Sequence, residues 1–464
     1  MSIIKLKNDL ISNLLLATST LGLPGNPQLT DYIGSSIVSD GFKGKNDVTL
    51  NLSNPVFSCW HNDLEPIGSH IVEQSKSWEL PLSDFKVSGK SILFNINRDV
   101  AIPLLLREEF VIQNDSGYQS TILLNTEKNS FKELTRLRFK YIEETLVSLI
   151  EATGGKTSIR RANYLETTDQ PTNDPLFDRK EPLAIDITQH KANIPFDLDE
   201  TQFSIEPGSR LMNLMLLFNE SIVPEDLKSD TCRIIILIHI NDWKIGEKAI
   251  TSWSILNSCI SKLSQISFIP IADITSDLSL TEIKDHWRSV IKKQSETECM
   301  DQQGDCLIET CLRYIITSIS PKVFHKLDLH KYKEALFIQY NYARLVGITN
   351  KFNQLATPLP LTDVNLNLLK SNHEWNLIYN FIAKYPVLLS EVLKPNPIAI
   401  HKIPYFINTF VNCISIYYNF TRVITEINEK SLPLANARIV MINKIRSVLH
   451  QVLSLIKIEP VQQM

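Results

Sequence analysis

The sequence predicts a multidomain chain, α/β in its first two thirds and all-α at its end, and three observations carry that prediction. A compact apolar strand, a long amphipathic segment and a second strand succeed one another between residues 120 and 165. Further on, "CRIIILIHI" (232–240) is apolar at nearly every position, as a strand buried on both faces must be. Beyond about residue 306 the periodicity is helical almost throughout, broken by proline-containing connections. A strand, helix and strand of this length form a βαβ unit with parallel strands, and the helical remainder forms a bundle.

Residues 1–112 read as a small α+β unit. Its opening "MSIIKLKNDLISNLLLATSTLGLPG" mimics a signal peptide, because Lys5 and Lys7 precede an apolar stretch, but Asn8, Asp9 and Asn13 interrupt that stretch. An amphipathic helix fits better. After a Gly/Asn-rich stretch, "FKVSGKSILFNINRDVAIPLLL" alternates like a strand through "SILFNI" and then turns helical. Residues 113–305 begin with the strand "STILLN". The helix after it places Leu134, Leu137, Tyr141, Thr145 and Leu149 at three- and four-residue steps, and Gly154 and Gly155 stop it. "TSIRRANYL" is the second strand. Residues 166–208, rich in Pro and Asp and without periodicity, are expected to be a long loop or insertion. A polar segment, "KKQSETECMDQQGDC", separates this region from the helical residues 306–464.

Composition bounds the function classes. With 464 residues, 43% hydrophobic and 21% charged, the chain can build two or three domains, each with its own core. Seven cysteines, an odd number irregularly spaced, point to reduced thiols and a cytosolic or nuclear setting. Cys299, Cys306 and Cys311 lie at spacings of seven and five, which match no zinc site, and Cys59 has no partner near it in sequence. No metal is expected. No eighteen apolar residues run together, so no membrane span is expected either. No Gly-rich loop follows a strand and precedes an acidic strand end, so no methyl-donor site is expected, and no nucleophile elbow or 20–50-residue repeat is present. The net charge of −4 hides an asymmetry. From Lys331 onward fourteen Lys and Arg stand against seven Asp and Glu, which is +7 and leaves −11 for residues 1–330. A basic third on an acidic body is either an ordinary mildly basic bundle or a surface for a polyanion.

The helical third concentrates the candidate residues. "FIQYNYARLVGITNKF" (337–352) crowds Gln339, Tyr340, Tyr342 and Arg344 onto one segment. In "YFINTFVNCISIYYNFTRVITEI", Phe406, Phe410, Cys413, Tyr417, Phe420 and Ile424 form a stripe expected to face the core. Asn408, Asn412, Ser415, Asn419 and Arg422 lie opposite, with Tyr418 at the margin. In "ANARIVMINKIRSVLHQVLSLIKI", Ile442, Ile445, Leu449, Leu453 and Ile456 are expected to bury, leaving Lys444, Arg446, His450 and Lys457 to solvent or a partner. Exposed Tyr and Arg stack on unpaired bases and Lys meets phosphate, which is how looped RNA is bound. Singly, the same residues are ordinary surface groups.

"LFIQYNYARLVGITNKF" resembles the first helix of the anticodon-binding domain of arginyl-tRNA synthetases, whose pattern is Gln-Tyr, two residues, Ala-Arg; here Gln339, Tyr340, Ala343 and Arg344. The likeness continues through "EWNLIYNFIAKYPVLLSEVL", "FINTFVNCISIYYNFTRVI" and the closing "ARIVMINKIRSVLHQVLSLIKIEPVQQM". This is the DALR domain, a helical bundle that grips the anticodon stem and loop. The resemblance implies a tRNA-binding surface drawn from Gln339, Tyr340, Tyr342, Arg344, Tyr418, Arg422, Arg438, Lys444 and Arg446. Gln339 and Arg344 would be polar contacts, with Tyr340 or Tyr342 stacking or packing.

Upstream, "FKELTRLRFKYIEETLVSLIEATGGKTSIRRANYL" is similar to the synthetase segment that carries the His-x-Gly-His signature, and "FKVSGKSILFNINRDV" to the end of the amino-terminal tRNA-elbow domain. The resemblance therefore implies a class I synthetase Rossmann-like core, and the departures from the pattern imply a degenerate one. Glu133 and Arg136 stand where the signature histidines belong, with Thr135 in place of the glycine. An imidazole pair stabilises charge on the ATP phosphates, whereas Glu133 adds negative charge. After "QISFIPI", where a lysine-rich loop near Lys-Met-Ser-Lys is expected, the chain offers Asp273 and Asp277. His239, in "ILIHIND", lacks the glycine and the second histidine and reads as a core histidine of a buried strand.

Taken together, the pattern resembles the DALR anticodon-binding domain-containing protein 3 family. Its members are tRNA-recognition partners of a methyltransferase that makes 3-methylcytidine in the anticodon loop of certain arginine tRNAs. That resemblance implies a cytoplasmic, non-catalytic tRNA-binding accessory protein, with arginine tRNAs and that methyltransferase as partners and no cofactor. Two other readings stay open: a residual arginyl-tRNA synthetase-like ligase, and a protein-binding scaffold without an RNA role.

Overall fold

The computed structural model describes residues 2–21, 37–38, 47–109, 119–161, 181–222, 224–227, 229–294, 300–394, 398–424 and 428–463. The opening segment is helix α1 (Ser2–Thr20), and Leu6, Leu10, Leu14 and Ala17, at three- and four-residue steps, face inward from it. An antiparallel sheet comes next, built from β1 (Ile37–Val38), β2 (Val48–Asn51), β3 (Leu82–Ser88) and β4 (Ser91–Ile96) in the order β1-β2-β4-β3. The β3–β4 turn needs Gly89, whose φ of +58° is left-handed. In β4 the predicted alternation holds, with Ile92, Phe94 and Ile96 buried. Helix α2 (Leu64–Ser75) packs against β3 through Gly68, where a Cβ would come within 2.4 Å of the Phe85 ring. Helix α3 (Arg98–Arg107) starts at Asn97, whose side chain caps the Asp99 N–H.

The βαβ unit is as the sequence predicts. β5 (Ser120–Asn125), α4 (Glu133–Ala152) and β6 (Lys156–Arg161) are joined through Gly154 at φ +82°; residues 162–165 of the expected second strand lie outside the described residues. The polar stretch 166–208 is not simply a loop. Its described part, from 181 on, folds as an antiparallel hairpin of β7 (Leu183–Asp186) and β8 (Gln202–Ile205), because Ile185 and Ile205 bury their side chains. Helix α5 (Arg210–Ser221) succeeds it. β9 (Cys232–His239), fully buried, leads into α6 (Ile240–Leu256) and then β10 (Ile266–Ile271). The four parallel strands lie in the order β10-β9-β5-β6, so the chain reverses direction across the sheet between β5 and β9. Alternate residues of β9 enter different cores: Ile234, Ile236 and Ile238 meet the α5–α6 side, whereas Ile235 and Leu237 meet α4 and the bundle.

A two-stranded link, β11 (Ile274–Thr275) with β12 (His325–Lys326), frames helices α7 (Leu280–Gln294) and α8 (Met300–Thr317). α8 begins inside the polar segment predicted to be a divider, ahead of residue 306, since its apolar face Leu307, Cys311 and Ile315 needs that run-up. Cys299 lies outside the described residues, and burial pushes the Cys311 thiol to about 12, a packed and inert group. The bundle then comprises α9 (Tyr332–Leu355), α10 (Asn372–Leu377) continuing through a π-helical turn (Ile378–Ala383) into α11 (Tyr385–Val392), α12 (Lys402–Phe420) and α13 (Leu432–Leu455).

A single apolar core runs from α1 and the antiparallel sheet through α4 into the bundle. Polar bonds hold that seam. Asp47, buried, accepts from Trp375 Nε1 (2.7 Å) and from the Ile96 N–H (2.8 Å), and the Tyr379 hydroxyl donates to its carbonyl. Arg98 donates to Asn372 Oδ1 (2.7 Å) and lies 5.3 Å from the Trp375 ring centroid.

A second polar anchor joins the parallel sheet to the bundle. Arg138, on α4, is fully buried and donates to the carbonyls of Ala272 (2.8 Å), Val323 (3.0 Å) and Ser320 (2.7 Å). Burial pulls its guanidinium down to about 10, with Asp273 acting in the opposite direction. Arg138→Met is expected to lower stability by at least ~2 kcal/mol, because buried carbonyls lose their donor. Urea unfolding followed by circular dichroism measures it, and an unchanged midpoint would refute it.

Asp47 gives a prediction with a defined sign. Burial pushes its carboxyl above the usual range, against the Trp375 and Ile96 bonds that pull it down. A folded-state pKa above the unfolded value means that the fold prefers the protonated form. The stability it contributes is present below the unfolded pKa and lost as pH rises through the folded one. The stability of the natural chain relative to Asp47→Asn should therefore grow as pH falls from neutral into the carboxylate range. Urea titrations across pH check this, and parallel curves for the two proteins would contradict it.

Candidate nucleic-acid interface

Helical spacing decides which of the candidate residues on α9 reach solvent. Tyr340 and Arg344, four residues apart, share an exposed face with Lys351 three turns on. Lys351 is absent from the predicted set, although its seven-residue step from Arg344, two helical turns, marks it. Gln339 and Tyr342 point the other way and bury. Gln339 clamps the end of the chain: its Nε2 donates to the Glu459 carbonyl (3.0 Å) and its Oε1 accepts from the Val461 N–H (2.9 Å). It is a strut, not a polar contact for a ligand. Tyr342 packs with its ring 6.3 Å from that of His450, and burial pushes its phenol up. The choice left open between Tyr340 and Tyr342 thus resolves by burial: Tyr340 is free to stack and Tyr342 packs.

The Arg344 guanidinium sits 4.4 Å from the Tyr418 ring centroid, tying α9 to α12. Tyr418 is half-buried with its hydroxyl unpartnered, and burial pushes that phenol up while Arg344 pulls it down. Arg422 is exposed, just past the end of α12, and Arg446 is half-exposed on α13. Arg438 is not available as predicted. Its Nε donates to Glu374 Oε1 (3.0 Å), a carboxylate that is 1% exposed, and its Nη1 donates to the Arg422 carbonyl (3.1 Å). Lys444, predicted to meet solvent or a partner, is half-buried and donates to the Glu108 carbonyl, and burial pulls its ammonium below the ordinary value.

Phe420 reverses another expectation. Periodicity places it on the core stripe with Phe406, Phe410 and Tyr417, which do bury, yet it is 74% exposed. α12 ends at that residue, and His373 stacks on it, rings parallel at 5.1 Å and 4°.

A second candidate place lies at the carboxyl ends of the parallel strands, beside the β5/β9 reversal where open α/β sheets bind ligands. The side chains there bond to one another. Thr135 Oγ1 donates to Asp273 Oδ1 (2.9 Å), and His239 Nε2 lies 3.4 Å from the same oxygen. His239 is buried at the end of β9 and packs on Phe131 (5.0 Å), as expected of a core histidine. Lys128 (3.3 Å) and Arg210 both pair with buried Asp242; Arg136 pairs with Glu127 (2.9 Å); Asp277 pairs with Lys326 (2.6 Å). Glu133 is exposed at the start of α4. Among the described residues no group of His, Cys, Asp and Glu is arranged to hold a metal, and no helix is long and apolar enough to cross a membrane.

Comparison with known proteins places this geometry. Residues 338–464 match the family model of the DALR anticodon binding domain. Solved structures align over the whole chain: arginyl-tRNA synthetase of Thermus thermophilus with a TM-score of 0.68 at 11% identity, over 99% of this chain and 100% of that one, and that of Plasmodium falciparum with 0.70 at 12%, over 100% and 99%. The fold is arginyl-tRNA synthetase-like. In sequence, the arginine–tRNA ligase of Desulforamulus reducens is 28% identical over 162 residues, 33% of this chain and 27% of its own. That of Hydrogenovibrio crunogenus is 31% identical over 147 residues, 30% of this chain and 23% of its own. The chain thus spans about a quarter of the length of the curated relatives it matches. Within this fold Glu133, Thr135 and Arg136 open the helix after the first parallel strand, and Asp273 lies just past the last.

The bundle's cations therefore fall into two groups, one holding helices together and one facing outward. Arg438→Ala removes one partner from a largely buried pair and is expected to cost about 3 kcal/mol. Arg344→Ala, which loses a surface cation–π contact, should cost no more than about 1 kcal/mol. Thermal unfolding of the two variants side by side tests this, and equal losses would overturn the division.

Proposed function

We propose that this chain binds arginine tRNAs through residues 338–464 and presents them to a separate 3-methylcytidine methyltransferase, without aminoacylating them itself. The tRNA-binding half of the reading rests on the DALR anticodon binding domain match and on the outward face of Tyr340, Arg344 and Lys351. One observation carries the non-catalytic half: Thr135 and Asp273, the residues that replace the signature glycine and stand in the expected lysine loop, are hydrogen-bonded to each other. Where a class I enzyme would hold triphosphate between these two elements, here a hydroxyl and a carboxylate bridge them, and Asp273 repels phosphate. The methyltransferase partnership is drawn from the family resemblance, and the location it implies is the cytoplasm.

The reading has two arms of test. Tyr340→Ala combined with Arg344→Ala should weaken tRNA binding roughly tenfold or more while leaving thermal unfolding nearly unchanged. Gel shifts over a range of salt measure it, and the natural chain's affinity should fall steeply as salt rises. Arginine-dependent exchange of pyrophosphate into ATP should be absent. Exchange at a rate above a boiled control would favour the ligase reading, which the arginine–tRNA ligase relatives keep in play. Methylation of an arginine tRNA by a candidate methyltransferase, with and without this chain, tests the partnership.

A further inference from the structure

Phe420 has no packing explanation. It is the most exposed large apolar side chain among the described residues, at 74%, although it continues a stripe whose other aromatics are buried. Its ring is nevertheless held. His373 covers one face in a parallel stack (5.1 Å, 4°), and its backbone N–H donates to Ser371 Oγ within the capping box of α10, which anchors the start of that helix. The next residue, Glu374, is buried and bonded to Arg438. The result is a flat two-ring platform with one aromatic face turned to solvent.

Its surroundings select a ligand class. Apart from Lys402 at its start, α12 carries no charged residue, and Asn419, next to the ring in sequence, is exposed. Arg422, exposed, lies two residues beyond the ring. A planar exposed ring backed by a parallel ring, with an exposed cation two residues further along the chain, offers a face on which a nucleobase stacks and a charge for its phosphate.

We infer that the free face of Phe420, backed by His373, stacks an unpaired nucleobase of the bound RNA, with Arg422 meeting an adjacent phosphate. This rests on the tRNA-binding reading above and adds to it a site that Tyr340 and Arg344 do not form.

The test uses the full chain and a synthetic hairpin RNA with 2-aminopurine placed in turn at each loop position. Stacking on Phe420 should quench the fluorescence at one position on binding. Phe420→Ala should abolish that quench and weaken binding roughly tenfold, with the salt dependence unchanged, because no cation is removed. Arg422→Ala should instead make the salt dependence shallower. Phe420→Trp should bind like the natural chain, whereas Phe420→Leu, apolar but not planar, should behave like the alanine variant. Full binding by Phe420→Leu would show an apolar contact of another kind and overturn the inference. Natural affinity in Phe420→Ala would overturn it while leaving the tRNA-binding reading intact, and no binding by the natural chain would overturn both.

Discussion

Two buried guanidinium groups tie the parallel sheet to the helical part of the chain: Arg233 on β9 donates to the Leu393 carbonyl (2.7 Å), and Arg138 on α4 organises the residues at the end of the sheet. Arg138 rises from α4 and reaches carbonyls on the segment after β10 and on the segment that leads to β12 and the bundle. A buried charge of this kind is costly unless dipoles and a counter-charge surround it. Here the carbonyls supply the dipoles and Asp273 the counter-charge. The same carboxylate accepts from Thr135 and lies within 3.4 Å of His239, so the residues at the end of the sheet are positioned by the neutralisation of one arginine. Asp273 thus has a structural reason to be acidic.

Much of the fold was legible because the signals were long and of one period. "SILFNI", "STILLN" and "CRIIILIHI" are strands, and the α4 segment is a helix ended by Gly154, as periodicity and the glycine require. What was not legible involves partners distant in sequence. The hairpin at 181–208 has only Ile185 and Ile205 as deeply buried apolar anchors on its strands, too few to produce alternation above its polar background. The continuous core across the amino-terminal unit and the bundle depends on Asp47 meeting Trp375 and Tyr379, residues more than three hundred positions apart, and no local pattern encodes that pairing.

The candidate interface was legible as a region and misread at particular residues, for the same reason. A helix face can be counted from sequence, but which of its two polar edges meets another helix cannot. Gln339 and Tyr340 are adjacent, and the returning tail at Glu459 and Val461, together with Thr310 on α8, makes the first a strut and leaves the second outside. Arg438 and Arg422 look alike in sequence; Glu374, brought in by α10, claims the first. Phe420 failed in the opposite direction: the stripe rule assumes that the helix and its neighbours continue, and α12 stops there.

These internal pairings also refine what the charge asymmetry means. The helical third carries +7 by composition, but Arg438 and Lys444 are bonded inward and contribute little to an outer field. At the end of the parallel sheet the opposite charges cancel locally: Lys128 and Arg210 with Asp242, Arg136 with Glu127, Lys326 with Asp277. A polyanion approaching that crevice meets neighbouring charges of both signs, and little net attraction survives screening over a Debye length of about 8–10 Å. Approaching the bundle, it meets Arg344 and Lys351 on one helix face and Arg422 beyond the next, with the exposed or half-exposed rings of Tyr340, Tyr418 and Phe420 on the same two helices. Only unpaired bases have faces free to stack, so a surface that combines cations with exposed rings has the chemistry to distinguish an unpaired loop from a duplex.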